Sequence, residues 1–213
     1  MPKLVHVVDD DASFRNSVGR LLRACGYDVA VYESAEQLLQ QLPEATGPSC
    51  ILLDVRIPGV SGPELQDRLA RQGSTLPIVF LTGHGDIETS VQAIKAGAED
   101  FLTKPVAKDK LLDAIERAIA RHQAAREQHD RLNTLRAKVA RLTPRERQVF
   151  DLVVRGRMNK QIAHELGTTE RTVKAHRQRV MEKLQVESLA QLVSMAERLD
   201  ALSAATPPAQ PVE

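Results

Sequence analysis

The sequence predicts an α/β doubly wound five-stranded parallel sheet, followed by a helical linker and an all-α helix-turn-helix unit. Three observations carry this prediction. Short apolar runs stop abruptly at polar residues, as buried parallel strands do where their carboxyl ends reach a crevice. Strand-like and helix-like segments alternate five times up to about residue 122. Beyond that point the alternation ceases and the charge changes sign: residues 1–122 hold 13 Lys+Arg against 17 Asp+Glu, a net of −4, whereas residues 123–213 hold 16 against 11, a net of +5. An acidic front half and a basic back half imply two domains with different partners, the second suited to a polyanion.

The first strand is Leu4 to Val8, running into Asp9-Asp10-Asp11. Phe14, Val18, Leu21, Leu22 and Cys25 then mark one apolar helix face, with Gly26 at the C-terminal cap. Asp28–Tyr32 is a short second strand, and Ser34-Ala-Glu36 opens a second helix. A loop from Pro43 to Ser49 leads to the central run Ser49-Cys-Ile-Leu-Leu-Asp54, after which Gly62-Pro63 begins a helix with Leu65 and Leu69 inward. Ile78–Leu81 is the fourth strand and leads into Thr82, Asp86 to Ala96 is a helix closed by Gly97, and Phe101–Thr103 is the fifth strand, ending in Lys104-Pro105. Leu111, Leu112, Ile115 and Ile119 mark the fifth helix.

From about Arg117 to Leu142 there is no Gly or Pro, so this helix is expected to run on as a linker. Leu132, Leu135, Val139 and Leu142 form a short a/d seam, which either pairs two protomers in a coiled coil or rests on its own domain. Thr143-Pro144 starts a further helix that Gly156 closes, and Asn159–Leu166 is a short one ended by Gly167. Thr168-Thr169 caps a longer helix from Glu170 to Leu184 with Val173, Val180 and Leu184 inward, and Leu189, Leu192, Val193 and Ala196 mark the last. The expected division is therefore 1–122, a linker at 123–141, a helical domain at 142–202 and a disordered tail at 203–213 with Pro207, Pro208 and Pro211.

The chain of 213 residues, 42% hydrophobic and 27% charged, suits globular domains with more than one core. Cys25 and Cys50 lie in apolar patterns without metal-ligand spacing and are read as buried, reduced thiols. Neither a signal sequence nor a membrane-length apolar run is present, which places the protein in the cytoplasm with no membrane partner.

If the strands are parallel, Asp9, Asp10, Asp54, Thr82 and Lys104 converge on one edge of the sheet. Carboxylates a few ångströms apart repel by about 4 kcal/mol per pair at an effective dielectric near 20, so the cluster calls for a cation. Mg²⁺, a hard ion held by one or two carboxylates with positions left for phosphate oxygens, fits. Lys104 and Thr82 suit phosphoryl oxygens, and Asp54 is placed to act as nucleophile toward phosphorus. In the second half, Arg171, Lys174, Ala175 and Gln178 share the exposed face of the long helix, with Lys174, Ala175 and Gln178 placed to reach base edges. Lys160, Arg177, Arg179 and Lys183 are assigned to phosphates. A basic face on a protein-binding bundle is the alternative.

Residues 1–122 resemble a response-regulator receiver domain, a flavodoxin-like fold. The resemblance rests on Val-Val-Asp9-Asp10, on Leu-Leu-Asp54 with Arg56-Ile-Pro58-Gly-Val-Ser-Gly62, on Leu-Thr82-Gly and on Lys104-Pro105 with its cis-proline. It implies that Asp54 accepts a phosphoryl group from a histidine kinase. It also implies that Asp10, Asp54 and the Arg56 carbonyl bind Mg²⁺, that Asp9 acts through the metal or its water, and that Lys104 and Thr82 contact the phosphate. Phe101 matches the mobile aromatic of the family, while Asp11 is an extra acid assigned to a helix cap. Leu142-Thr-Pro-Arg-Glu146, Asn159-Lys-Gln-Ile-Ala163, Thr172-Val-Lys174-Ala-His176 and Met181-Glu-Lys183-Leu184 are similar to the LuxR-type helix-turn-helix. The whole chain thus resembles a FixJ/NarL-type regulator, and Thr82-Gly-His84-Gly-Asp86 leans to the FixJ branch.

That resemblance implies a regulator and not an enzyme, one that dimerises when phosphorylated, binds promoter DNA and activates transcription, with RNA polymerase as a partner. Leu192 and Val193 of the last helix are expected to pair two DNA-binding domains. A metal-dependent phosphohydrolase is disfavoured, because Arg56 stands where such an enzyme needs its general acid, two residues past the nucleophile.

Overall fold

The computed structural model describes residues 3–41, 47–83 and 87–204. The His84–Asp86 part of the motif after the fourth strand, the start of its helix, part of the loop from Pro43 and the tail beyond residue 204 lie outside these residues. The chain divides into two compact units, residues 1–127 and 128–213.

In the first unit the strands β1 (Leu4–Val8), β2 (Asp28–Tyr32), β3 (Ser49–Asp54), β4 (Ile78–Thr82) and β5 (Asp100–Thr103) form one sheet in the order β2-β1-β3-β4-β5, every pair parallel. The helices α1 (Ala12–Ala24), α2 (Ala35–Gln41), α3 (Gly62–Arg71), α4 (Ile87–Lys95) and α5 (Lys108–Ala140) alternate with the strands. Continuous apolar runs form the central strands because both faces are covered. Val5, Val7, Cys50, Leu52, Val79 and Leu81 pack with α1 and α5, while Val8, Ile51, Leu53, Ile78 and Phe80 pack with residues of α2, α3 and α4.

Local chemistry sets the element ends. Asp11 is the N-cap of α1, its side chain accepting from the backbone N–H groups of Ser13 and Phe14. Gly62 is required by close approach: a Cβ there would lie 2.8 Å from Phe80 Cε1 and 2.9 Å from the Asp54 carbonyl, so only glycine lets α3 start against the end of β3. The expectation for Cys25 is corrected. Cys50 is buried but Cys25 is exposed, because it falls at the C-cap of α1, where the helix has already turned away from the sheet.

The fifth helix is a single element of 33 residues. Beyond its packing on the sheet, His122 Nδ1 accepts the Ser49 N–H at 2.9 Å and Arg126 donates to the Gly47 carbonyl at 3.0 Å, tying the helix to the entry of β3. Its last turns join the second unit, where Val139 and Leu142 are buried in the core and Leu135 packs against it. Three of the four seam residues thus pack on their own domain, while Leu132 is half-buried and lies outside that core.

The second unit adds α6 (Pro144–Val154), α7 (Asn159–Glu165), α8 (Glu170–Leu184) and α9 (Leu189–Ala204). Thr143 and Glu146 form a capping box at the start of α6, and Thr169 caps α8. Val173, Val180 and Leu184 of α8 are buried as expected. Leu192 is also buried, only 2% exposed within the core, which removes it as a pairing residue; Val193 is half-buried, and Leu189 is exposed. The last helix reaches Ala204, two residues past the expected end of the domain.

Burial lowers the pKa of His6 to about 4, and the ring, 3.0 Å from the Tyr32 hydroxyl, stays neutral in the fold. The unfolded chain protonates this side chain near 6.5, so stability is full above that pH and falls as acid carries it toward 4. The loss attributable to His6 is on the order of 3 kcal/mol at pH 4. Urea unfolding between pH 7.5 and 4.5 is expected to show a shallower acid-side loss for His6→Gln than for wild type.

Candidate functional site

Strand register assembles the first site. Val8 pairs with Leu53 and Asp54 with Leu81, so Asp9 follows β1 level with Asp54; Leu81 pairs with Leu102, which brings Thr82 and Lys104 to the same rim. Lys104 Nζ donates to Asp9 Oδ2 at 2.6 Å and to Asp54 Oδ2 at 2.8 Å. Asp9 is 1% exposed, Asp54 8% and Thr82 2%, whereas Asp10 is open to solvent. Carboxylate oxygens of Asp9, Asp10 and Asp54 all lie within 4.8 Å of one another.

Burial raises the Asp9 carboxyl above its ordinary value although the Lys104 ammonium pulls it down. Burial also works against the charge of Lys104, but the hydrogen bonds to Asp54 and Asp9 outweigh it and hold the amine above the usual lysine value. Asp9, Asp10 and Asp54 against the Lys104 ammonium leave a formal charge of −2 among these four side chains, and the donors are hard oxygens. That set fits a divalent cation such as Mg²⁺.

The neighbouring groups are engaged as well. Arg56, expected to offer its carbonyl, donates its N–H to Asp54 Oδ1 at 3.2 Å. The Thr82 carbonyl accepts the Lys104 N–H at 2.7 Å, and the peptide bond from Lys104 to Pro105 is cis. Phe101 is partly buried, its ring 6.1 Å from that of Phe80. Two contacts escaped the sequence reading. Arg15 donates to the Asp9 carbonyl at 2.6 Å, and Phe14, read as a core position, places its ring 4.1 Å from Lys104 Nζ. Helical periodicity separates buried from exposed positions, but it carries no signal for which first-turn residue overhangs a strand end.

The second site is the outer face of α8. Arg171, Lys174, Ala175, Gln178 and Arg179 are exposed there, as is Lys160 on α7. A groove of about 590 Å³ beside α8 is lined by Lys174, Arg177, Gln178 and Met181 among others. Arg177 is braced by Asn159 Oδ1 at 2.7 Å, and Gln178 donates to Glu182 at 2.9 Å. Lys183 is turned elsewhere: it donates to Glu146 Oε2 at 2.6 Å, where that side chain is 4% exposed. The Lys183 ammonium, then the Thr143 N–H, lowers the Glu146 carboxyl to about 2. Lys183, still 36% exposed, thus has its ammonium engaged with a buried carboxylate.

Residues 5–116 match the model of the response regulator receiver domain, and residues 140–196 match that of the bacterial regulatory proteins of the luxR family. Nodulation protein W of Bradyrhizobium diazoefficiens is 46% identical over 197 residues, covering 92% of this chain and 86% of that protein. The transcriptional regulatory protein FixJ of the same organism is 41% identical over 199 residues, covering 93% and 97%. Among solved structures, the response regulator StyR aligns with a TM-score of 0.84 at 44% identity, covering 93% of this chain and all of that one. Full-length FixJ from B. japonicum aligns at 0.57 and 40%, covering 93% and 97%.

Substituting Lys183 by Met is expected to destabilise the second unit by about 1–2 kcal/mol, the cost of an unpaired buried carboxylate reduced for the partial exposure of Lys183. The same variant should keep the salt dependence of DNA binding, measured as the slope of log affinity against log salt. Lys160→Ala is expected to make that slope shallower by about one and to leave stability unchanged.

Proposed function

The chain belongs to the two-component response regulators that carry a receiver domain ahead of a LuxR-type DNA-binding domain, and from that premise we propose that Asp54 is the phosphoacceptor that governs dimerisation and promoter binding. The observation that carries the reading is the rim itself, where Lys104, a cation that can follow phosphoryl oxygens, donates to Asp54 at 2.8 Å.

An Asp54 oxygen attacks the phosphorus of a phosphohistidine on the kinase. The new O–P bond forms as the P–N bond breaks, and the electron pair leaves with the imidazole nitrogen. Lys104 then exchanges a carboxylate oxygen for a phosphoryl oxygen, and the Thr82 hydroxyl turns to another. Asp9, Asp10, Asp54 and the Arg56 carbonyl are the groups that would hold Mg²⁺, which neutralises charge on the phosphoryl group when bound. Movement of Thr82 lets Phe101 turn inward and reshapes the surface of α4, β5 and α5. Val91 and Ile94 are both 46% exposed on α4, an apolar surface suited to a partner protomer.

Dimerisation brings two α8 helices to a site of matching symmetry. Lys174, Ala175 and Gln178 read bases, while Lys160, Arg171, Arg177 and Arg179 meet phosphates. RNA polymerase is the partner through which bound dimers activate transcription. Among the described residues no helix is long and apolar enough to cross a membrane, in keeping with a cytoplasmic regulator. Arg56 stands where a phosphohydrolase needs its general acid, which favours a switch over a hydrolase.

Sedimentation with Mg²⁺ and beryllofluoride, a phosphoryl mimic, is expected to convert wild type from monomer to dimer and to leave Asp54→Asn unchanged. A shift in both would overturn Asp54 as the acceptor. In Thr82→Ala the mimic should bind without producing the dimer. Lys174→Ala and Gln178→Ala should each weaken binding to promoter DNA by about 1–3 kcal/mol, measured at fixed salt.

A further inference from the structure

Phe14 stands on the first turn of α1, where its N–H donates to Asp11 Oδ1 at 3.2 Å. The cap fixes where the helix begins, and so fixes which residue of its first turn reaches over the rim. The ring centroid lies 4.1 Å from Lys104 Nζ, well within the range in which an ammonium is drawn to an aromatic face. The same nitrogen donates to Asp9 Oδ2 at 2.6 Å and Asp54 Oδ2 at 2.8 Å, and the lysine side chain is 18% exposed. The cation is therefore gripped between two carboxylates and one π face. When phosphorus arrives, one of those carboxylates becomes the nucleophile and the grip on that side has to change. Phe14 is the neutral contact, free to keep its hold while the charged ones exchange.

The geometry points to Phe14 as a positioning residue for phosphoryl transfer, its ring face holding the Lys104 ammonium at the acceptor so that the cation is in place as charge develops. A lysine has a flexible four-carbon stem, and every conformation in which its head swings to solvent is lost to the reaction. An aliphatic side chain of similar size would cover the stem but offers no quadrupole to the ammonium. In the transfer the Asp54 oxygen gains a bond to phosphorus while the donor P–N bond breaks; its electron pair goes to nitrogen, which takes up a proton. The phosphoryl oxygens carry the charge that the held ammonium meets.

This inference rests on Asp54 as the acceptor, and the test separates the two. The full chain in Mg²⁺ buffer is mixed with phosphoramidate, a small phosphodonor, and the rate of labelling is followed by intact mass. Position 14 carries Phe, then mono-, di- and trifluorinated phenylalanine, which keep the shape of the ring and drain its face of charge. Phe14→Leu and Phe14→Trp complete the set. The rate is expected to fall stepwise with fluorination, to drop about tenfold in Phe14→Leu, equivalent to about 1.4 kcal/mol, and to persist in Phe14→Trp. Thermal stability should stay constant across the fluorinated set. A flat fluorination series overturns the proposal even if Phe14→Leu is slow, since the ring would then act as filler. Labelling that persists in Asp54→Asn overturns the acceptor and this inference together, whereas labelling lost there beside a flat series overturns Phe14 alone.

Discussion

The ammonium of Lys104, held between Asp9 and Asp54, is the interaction on which the first unit turns. Two buried like charges at a sheet rim would drive the strand ends apart, and at an effective dielectric near 20 their repulsion is about 4 kcal/mol at 4 Å. One cation between them converts that repulsion into a joint attraction. It does so only while β1, β3 and β5 end level with one another, so the register of the sheet and the charge balance of the site support each other. The arrangement is also incomplete, since a formal charge of −2 remains. A site with surplus carboxylate charge and a flexible lysine between its acids is suited to a divalent ion.

Steric fit reinforces this charge constraint. Gly62 lets α3 begin against the Asp54 carbonyl, and Asp11 fixes the first turn of α1 so that Phe14 and Arg15 reach the same rim. Each of these small devices acts on the loop after a strand. The strands themselves, buried on both faces, supply a rigid platform on which loops can be exact without being stable alone.

The second unit divides its cations between two tasks. Lys183 closes a part-buried bond to Glu146, which in turn completes the capping box of α6, so one lysine of α8 stabilises the start of another helix. Lys160, Arg171, Lys174 and Arg179 stay on the outside. The net charge of +5 beyond residue 122 is a sum over both groups and does not distinguish them.

The alternation of strands and helices, the helix positions and the convergence of Asp9, Asp54, Thr82 and Lys104 were legible from one-dimensional pattern. Apolar runs, acids at their ends and glycine or threonine at helix ends are local properties that the chain carries wherever it goes. Residues that pattern alone misplaced share a different trait. Cys25 and Leu192 lie on helical stripes whose inner side is set only by what packs against them. The direction of Lys183 and the reach of Phe14 depend on residues 37 and 90 positions away. The sequence by itself determined which elements form and which chemical groups end them, because propensity, capping and burial act over a few residues. Tertiary structure alone decided which long side chains meet, because a flexible lysine stem finds its partner only when distant elements are packed around it.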